Sequence, residues 1–129
     1  MDCIFCKIAN GEIPCKKIYE DELVIAFLDL SPHTNGHTLI IPKKHHTNIL
    51  DMDSNLLTHI QETAKKLFEL YKEKLDVAGM TLVQNNEYGQ EIKHYHLHLV
   101  PRYKKDGIFM CHKKDGIKDL DEVYEMIAK

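Results

Sequence analysis

The stretch KHYHLHLVPRY, residues 93–103, places a histidine at every second position: His94, His96 and His98. Apolar or aromatic side chains fill the alternate positions: Tyr95, Leu97 and Leu99. Successive side chains of a β-strand point to opposite faces, so residues two apart share a face at about 6.5–7 Å. From Tyr95 on, the stretch predicts a strand closed by Pro101, with imidazoles on one face and an apolar face turned toward a packed helix.

The histidine face suggests two kinds of chemistry. Imidazole is the commonest neutral metal ligand, so the face could hold a metal ion. Histidine can also attack phosphorus, because water readily hydrolyses the resulting N–P bond, and His96 would then attack while its neighbours orient it and stabilise charge. An ordinary solvated face would mix threonine, lysine and glutamate, and three uninterrupted histidines among only nine in the chain argue against it.

Four further runs are rich in β-branched or aromatic residues and predict strands: 16–21, 23–30, 37–42 and 80–86. The first two predict a hairpin that turns near Asp21 and Glu22. Together with the histidine strand they predict an α+β fold built on a five-stranded antiparallel sheet. We expect residues 1–129 to form a single domain.

Two helices complete the predicted fold. Apolar residues at helical spacing predict a long helix over 53–76, capped by Asp53 or Ser54 and ended by Gly79. A short C-terminal helix is predicted from Asp119, with a buried face made of Leu120, Val123, Tyr124 and Ile127. The long helix would pack on one face of the sheet and leave the other face for a site or a partner.

Composition narrows the classes of function. The chain of 129 residues carries a net charge of −3, which gives no general electrostatic reason to bind nucleic acid. It has no apolar run near the ~18 residues of a membrane span and no signal-peptide pattern, so we expect a cytoplasmic protein with no membrane partner. Only Arg102 among the 17 basic residues is an arginine, which excludes a phosphate clamp of several guanidinium groups.

Three blocks of the chain, in the right order, resemble the histidine triad family. The segment HYHLHLV, residues 94–100, resembles its alternating histidine pattern, with Gly89-Gln90 before it. Residues 3–22, CIFCKIANGEIPCKKIYEDE, resemble its N-terminal segment, and residues 26–45, AFLDLSPHTNGHTLIIPKKH, its central hairpin and strand. The resemblance, closest to the bacterial histidine triad hydrolases, implies a HIT-like fold, a homodimer and hydrolysis at the α-phosphorus of a purine nucleotide derivative.

The resemblance also implies roles for single residues. His96 would be the nucleophile that carries a transient nucleoside monophosphate, and His98 would bond the phosphate oxygens. His94 and Gln90 would complete the catalytic set, with Gln90 beside the leaving group. Asp29 would accept hydrogen bonds from the ribose hydroxyls. The other implied nucleotide contacts are Asn85, Phe27, Leu30, Ile4, Phe5, Ile8 and His37.

The implied substrates are nucleoside phosphoramidates or related adenylated compounds. A dinucleoside polyphosphate hydrolase, a nucleotide-binding or scaffold protein with incidental turnover, and a zinc-binding structural protein are the alternatives. Two departures from the family pattern bear on this choice. Glu91 stands where the phosphoramidases often have serine, so leaving-group preference can differ here. The shortened loop QNNEYGQ, residues 84–90, leaves open whether Asn85 or Asn86 contacts phosphate.

Cys3 and Cys6 form a Cys-x-x-Cys pair, which in a cytosolic protein suggests metal or redox chemistry. Zinc takes four nitrogen or sulfur ligands, and His45 or His46 with one triad histidine could supply the other two. The resemblance to a bacterial subset of the family implies a structural zinc site with these ligands: Cys3, Cys6, His45 and His94. Two inert buried thiols are the alternative.

Overall fold

The computed structural model describes residues 3–108, 113 and 115–128. The helices in this part of the chain are α1 (Ile4–Ala9), α2 (Ser54–Lys74) and α3 (Leu120–Ala128). The strands are β1 (Lys17–Glu20), β2 (Val24–Leu28), β3 (Thr38–Pro42), β4 (Gly79–Val83) and β5 (Leu97–Arg102). All strand pairs are antiparallel, in the order β1-β2-β3-β5-β4. The predicted α+β fold with a five-stranded sheet, one long helix and a short C-terminal helix is confirmed.

The alternation of side chains along each strand divides the apolar residues between two clusters. One cluster joins the sheet to α2 and contains Val24, Ala26, Ile40, Tyr95, Leu97, Leu99, Ile60, Ala64 and Leu67. The other joins the sheet to α1 and contains Phe5, Ile8, Ile25, Phe27, Leu39 and Ile41. Burying each leucine, isoleucine or phenylalanine stabilises the fold by about 1.5–3 kcal/mol. The sheet is therefore covered by α2 on one face and by the short α1 on the other.

The histidine stretch is only partly a strand. β5 begins at Leu97, because its ladder with β3 ends at the pair Leu97–Ile40. His94 and His96 precede the strand, which corrects the prediction of a strand from Tyr95. The Tyr95 N–H donates to the His46 carbonyl at 2.6 Å, so this segment is held by the connection after β3 instead. The apolar alternation is nonetheless as predicted, since Tyr95 and Leu97 are buried against α2.

The start of α2 is as predicted and its end lies within two residues of the prediction, but the residue predicted to stop it is wrong. The Asp53 side chain accepts a hydrogen bond from the Leu56 N–H at 2.9 Å, a cap worth about 1 kcal/mol. The helix ends at Lys74, and Asp76 takes the left-handed conformation with φ 54°. Aspartate is one of the few non-glycine residues that adopt this conformation readily. Gly79 is therefore not the helix stop but the first residue of β4.

The predicted buried face of α3 is wrong for the part of the chain described here. No residue of α3 is buried, and Leu120, Tyr124 and Ile127 are 82%, 64% and 78% exposed. The reason is that the sheet packs with α2 in one apolar cluster and with α1 in the other, and neither cluster includes a residue of α3. Among the described residues, no helix combines the length and the apolar character needed to cross a bilayer.

Candidate active site and metal centre

The middle histidine, His96, is held in one tautomer by the backbone. Its Nδ1 lies 2.8 Å from the carbonyl oxygen of His94. A carbonyl only accepts hydrogen bonds, so His96 Nδ1 carries the proton and donates it. The Nε2 atom then has the free lone pair of a neutral imidazole. The ring is buried, and the edge-on ring of Phe5 packs against it with centroids 5.0 Å apart.

A chain of hydrogen bonds also assigns the protons of His37 and His98. The backbone N–H of His33 donates to His37 Nδ1 at 3.0 Å, so the His37 proton is on Nε2. His37 Nε2 lies 2.9 Å from His98 Nδ1 and donates to it. The remaining His98 nitrogen, Nε2, therefore carries the proton of that ring. His98 presents a neutral N–H donor where His96 presents a lone pair.

Burial keeps the rings of His37 and His98 uncharged at neutral pH. Desolvation, followed by the nearby His96 and His37, lowers the pKa of His98 to about 4. Desolvation likewise lowers the pKa of His37, against the opposing effect of Asp29. A neutral imidazole is the form that donates one hydrogen bond and accepts another, as this chain requires.

The turn before His37 depends on glycine. Gly36 has φ 94°, and a Cβ there would lie 2.7 Å from Leu75 Cδ1 and 3.2 Å from Pro101 Cγ. A side chain at this position would be strained by the conformation and would require Leu75 to shift. The Thr34 hydroxyl donates to the Pro101 carbonyl at 2.7 Å, which ties the same turn to β5. His37 is thus fixed relative to the strand that carries His98.

Asp29, His37 and His98 lie close enough together to be considered as a metal site. The Asp29 carboxylate is 3.6 Å from His37 Nε2 and also accepts the Ser31 N–H at 2.8 Å. A metal on His37 Nε2 would move that ring's proton to Nδ1, where the His33 N–H already points. We therefore assign these residues to the hydrogen-bond chain and not to a metal.

The histidines open into a pocket of about 560 Å³ between the sheet and α1. This volume falls within the range of about 300–1,000 Å³ of small-molecule sites. The pocket is lined by all eight residues expected to contact a nucleotide: Ile4, Phe5, Ile8, Phe27, Asp29, Leu30, His37 and Asn85. His96 and His98 line it as well. Leu30 is 93% exposed, so it forms the rim and not a wall.

Gln90 differs from its expected position beside a leaving group. It is buried and does not line the pocket. Its Oε1 accepts the Glu87 N–H at 3.0 Å, and its Nε2 donates to the Thr47 carbonyl at 2.5 Å. The first bond closes the 84–90 loop on itself, and the second holds that loop to the connection after β3. Asn86 has a similar role, because its Oδ1 accepts the Ile49 N–H at 2.8 Å.

Several pocket residues were not anticipated from the sequence. His33 is exposed but lines the pocket, with its ring centroid 4.8 Å from that of His37. Cys15 lines the pocket too, and burial raises the pKa of its thiol. Neither residue belongs to a periodic run, and the only available signal was that His33 lies four positions before His37.

A second cluster surrounds the ring of the first triad histidine. It contains the four expected metal ligands: Cys3, Cys6, His45 and His94. The Nδ1 atoms of His45 and His94 are 3.2 Å apart. Cys6 Sγ is 3.2 Å from His45 Nδ1 and 3.5 Å from His94 Nδ1, while Cys3 Sγ is 3.3 Å from His94 Nδ1. Tetrahedral zinc, with bonds of about 2.0–2.3 Å, requires ligand separations of about 3.3–3.7 Å. The donor atoms and their spacing therefore fit zinc.

Hydrogen bonding around His94 supports the same assignment. His94 Nε2 lies 2.9 Å from the Pro42 carbonyl and donates to it, so Nδ1 has the lone pair that faces the thiols. Burial lowers the pKa of His94 to about 4, which keeps the ring neutral as a ligand must be. Burial also raises the pKa of Cys6 to about 11 without a metal, so metal binding would release its proton.

A family model for the HIT domain matches residues 10–105. The chain belongs to the HIT family. An uncharacterized HIT-like protein of Methanocaldococcus jannaschii is 46% identical over 127 residues, which cover 97% of this chain and 98% of that protein. Adenosine 5'-monophosphoramidase HNT1 of Saccharomyces cerevisiae is 41% identical, with 84% of this chain and 68% of that one covered. Adenylylsulfatase HINT3 of Arabidopsis thaliana is 35% identical, with 84% and 56% covered.

Solved HIT structures share this fold over nearly the whole chain. A member of the family from Bacillus subtilis has a TM-score of 0.85 at 39% identity and covers 99% of this chain and 96% of that one. A zinc-bound histidine triad family protein from Mycobacterium smegmatis has a TM-score of 0.81 at 33% identity, with 89% and 85% covered.

Proposed function

We propose that this HIT protein hydrolyses nucleoside phosphoramidates or related adenylated substrates at the α-phosphorus, through a nucleotidyl intermediate on His96. The observation that carries the proposal is the hydrogen bond from His96 Nδ1 to the His94 carbonyl. It leaves Nε2 unprotonated in a ring that lines the pocket. A nucleophile in this state needs no separate base to remove a proton before it attacks.

The reaction would proceed in two steps. His96 Nε2 forms a bond to the α-phosphorus while the bond to the leaving group breaks, and the bonding electrons depart with that group. The imidazole gains positive charge, which the His94 carbonyl stabilises through Nδ1–H. Water then attacks the same phosphorus while the His96–phosphorus bond breaks, which releases the nucleoside monophosphate and restores the neutral ring. The proton that this water loses balances the proton that the departing amine takes up. The Nε2–H of His98 would donate to a phosphate oxygen in both steps.

The two ends of the pocket support a nucleotide. Phe5, Phe27 and Ile8 form its apolar part, which suits a purine base. A carboxylate oxygen of Asp29 lies 3.6 Å from His37 Nε2, close to the place proposed for the phosphate. The hydroxyls of a ribose can donate hydrogen bonds to this carboxylate. Asn85 lines the pocket while Asn86 bonds the backbone, which favours Asn85 as the phosphate contact.

We propose a structural role for zinc in the Cys3, Cys6, His45 and His94 cluster. Zinc there would hold the N-terminal segment to the active-site segment, and its four ligands would leave it no open position. The thiols must stay reduced to bind it, which favours a cytoplasmic location.

We also propose that the protein is a homodimer. β4 lies at the edge of the sheet, and the apolar side of α3 is exposed in a single chain. A second copy would cover such surfaces. Sedimentation equilibrium is expected to give twice the chain mass, and a monomer at micromolar concentration would contradict this.

The test of the activity is hydrolysis of adenosine phosphoramidate by the wild type and by His96→Gly. We expect the variant to lose at least about 10⁴-fold in kcat, since losing a covalent nucleophile removes the whole pathway. Calorimetry should still detect AMP binding by the variant, and mass spectrometry should trap an adenylyl adduct only on the wild type.

A matched control is His59→Asn, because His59 pairs with Asp21 and does not line the pocket. This variant should turn over as the wild type does. Wild-type rates in His96→Gly would refute the covalent mechanism. AMP binding without turnover by the wild type would favour the binding-protein alternative instead.

A further inference from the structure

The connection between β4 and β5 places one carboxylate, Glu91, between two depressions. Glu91 lines the main pocket, as His96 does, and it also lines a neighbouring depression of about 470 Å³. That second depression shares Ile4 and Ile92 with the first and reaches Lys93 and His45. Glu91 therefore stands where the two depressions meet.

Glu91 is on the opposite side of the reacting histidines from Asp29. Asp29 follows β2, His37 precedes β3, and His98 is on β5. The Asp29 N–H donates to the His37 carbonyl just before β3, whereas the Gln90 amide and the Tyr95 N–H donate to the carbonyls of Thr47 and His46 just after β3. The β4–β5 connection therefore reaches the histidines from the end of β3 opposite Asp29. A nucleoside whose ribose meets Asp29 would direct its leaving group toward Glu91.

Among the described residues none forms an ion pair with Glu91, although the charged Lys93 lines the same depression. Over the ranges 3–108, 113 and 115–128, its carboxylate has no hydrogen bond or ion pair in the structure. The nearest lysine in sequence, Lys93, donates its ammonium hydrogens to the carbonyls of Glu87 and Gln90 at 3.2 and 2.9 Å. The pocket lysine, Lys16, is at the Asp29 end, since its carbonyl accepts the Leu28 N–H. A zinc with two thiolates and two neutral histidines would add no net charge.

We propose that Glu91 makes this enzyme selective for leaving groups that carry a positive charge, such as amines with a second ammonium group, over anionic leaving groups. This inference rests on the proposed hydrolysis at the α-phosphorus. An unpaired carboxylate at the site edge attracts a cation and repels an anion with comparable strength, so the two effects multiply in the ratio of rates. We expect a cation-to-anion preference of about 10–100-fold from this one charge.

The test uses three adenosine phosphoramidates that differ only at the end of the amine: aminoethyl, hydroxyethyl and carboxyethyl. All three break the same P–N bond, and intrinsic reactivity cancels when each variant is compared with the wild type. Glu91→Gln should lower the aminoethyl-to-carboxyethyl ratio of kcat/KM by about 10–100-fold. The hydroxyethyl substrate should change least, and added salt should weaken the wild-type preference.

Glu87→Gln is the matched control, because Glu87 is in the same loop, is exposed and does not line the pocket. It removes the same charge from the protein and should change the ratio less than about twofold. A ratio within twofold of wild type in Glu91→Gln, with turnover intact, would overturn the role of Glu91 and leave the proposed function standing. Failure of the wild type to hydrolyse any of the three would remove the proposed function and this inference together.

Discussion

The two outer histidines of the triad have the same side chain and opposite uses. The ring of His94 faces Cys3, Cys6 and His45, and only its backbone carbonyl reaches His96. The ring of His98 faces the pocket and accepts from His37. On one side of the nucleophile His96, the metal-ligand cluster acts on it through the backbone carbonyl of His94. On the other side, the His37–His98 hydrogen-bond chain reaches the pocket through the side chain of His98. Residues that a sequence pattern makes equivalent become distinct through what their rings contact.

Removing the metal ligands should produce the largest effect and should act first on stability. Cys6→Ala eliminates one ligand and leaves three polar ligand atoms clustered without an ion. We expect the free energy of unfolding to fall by at least about 4 kcal/mol, because metal binding energy at a closed site contributes to folding. Urea unfolding with zinc analysis of the purified protein measures both changes. Activity should fall too, since the His94 carbonyl that orients His96 loses one of the attachments that hold its segment in place.

The control for this change is Cys15→Ala, which removes a thiol outside the cluster. It should keep about one zinc per chain and remain within about 1.5 kcal/mol of wild-type stability. The zinc assignment fails if the wild type purifies without zinc and a strong chelator leaves its unfolding curve unchanged.

Removing the hydrogen bond between His37 and His98 should lower the catalytic rate more than it lowers the stability of the fold. His37→Phe keeps an aromatic ring of similar size at a buried position but removes the N–H that fixes the His98 tautomer. We expect kcat for adenosine phosphoramidate to fall about 10–100-fold, the equivalent of one buried hydrogen bond lost in the transition state. KM should change less, because His37 reaches the substrate through His98.

His37→Gln distinguishes the effect of the hydrogen-bond donor at this position from the effect of the aromatic ring. Its amide can donate to His98 Nδ1, so it should recover part of the lost kcat. If the two substitutions reduce kcat equally, the hydrogen bond is not the relevant property, and a packing role for His37 would replace the positioning role.

Local sequence patterns predicted the parts of this molecule that local physics determines. Period-two alternation identified Tyr95 and Leu97 as core residues, and helical periodicity identified α2. The start of β5 was missed because it depends on where the β3 ladder ends. The position of Gln90 was missed for a similar reason, since its amide bonds Thr47, which is far away in the sequence. The apolar side of α3 was predicted correctly as a pattern, but a pattern cannot say which surface will cover it.

The smallest predicted effect concerns the proton of His98. Its folded-state pKa is about 4, against an ordinary value of 6.5 that the unfolded chain is expected to show. Between these values the unfolded state binds more protons than the folded state, so the free energy of unfolding falls as the pH falls from 6.5 toward 4. From pH 7 to pH 5 we expect His98 to account for a loss of about 1–2 kcal/mol. Urea unfolding at the two pH values measures it.

The effect of His98 must be separated from those of His37 and His94, whose pKa values are lowered in the same direction. His98→Asn removes one titrating ring and keeps a side chain that can hydrogen-bond His37. The variant can be less stable than the wild type at every pH, but its loss between pH 7 and pH 5 should be smaller by about 1–2 kcal/mol. Equal losses in the two proteins would mean that His98 takes up its proton at the same pH folded and unfolded. The ring would then be charged at pH 5, and the neutral N–H donor that distinguishes this side of His96 from the metal side would exist only above that pH.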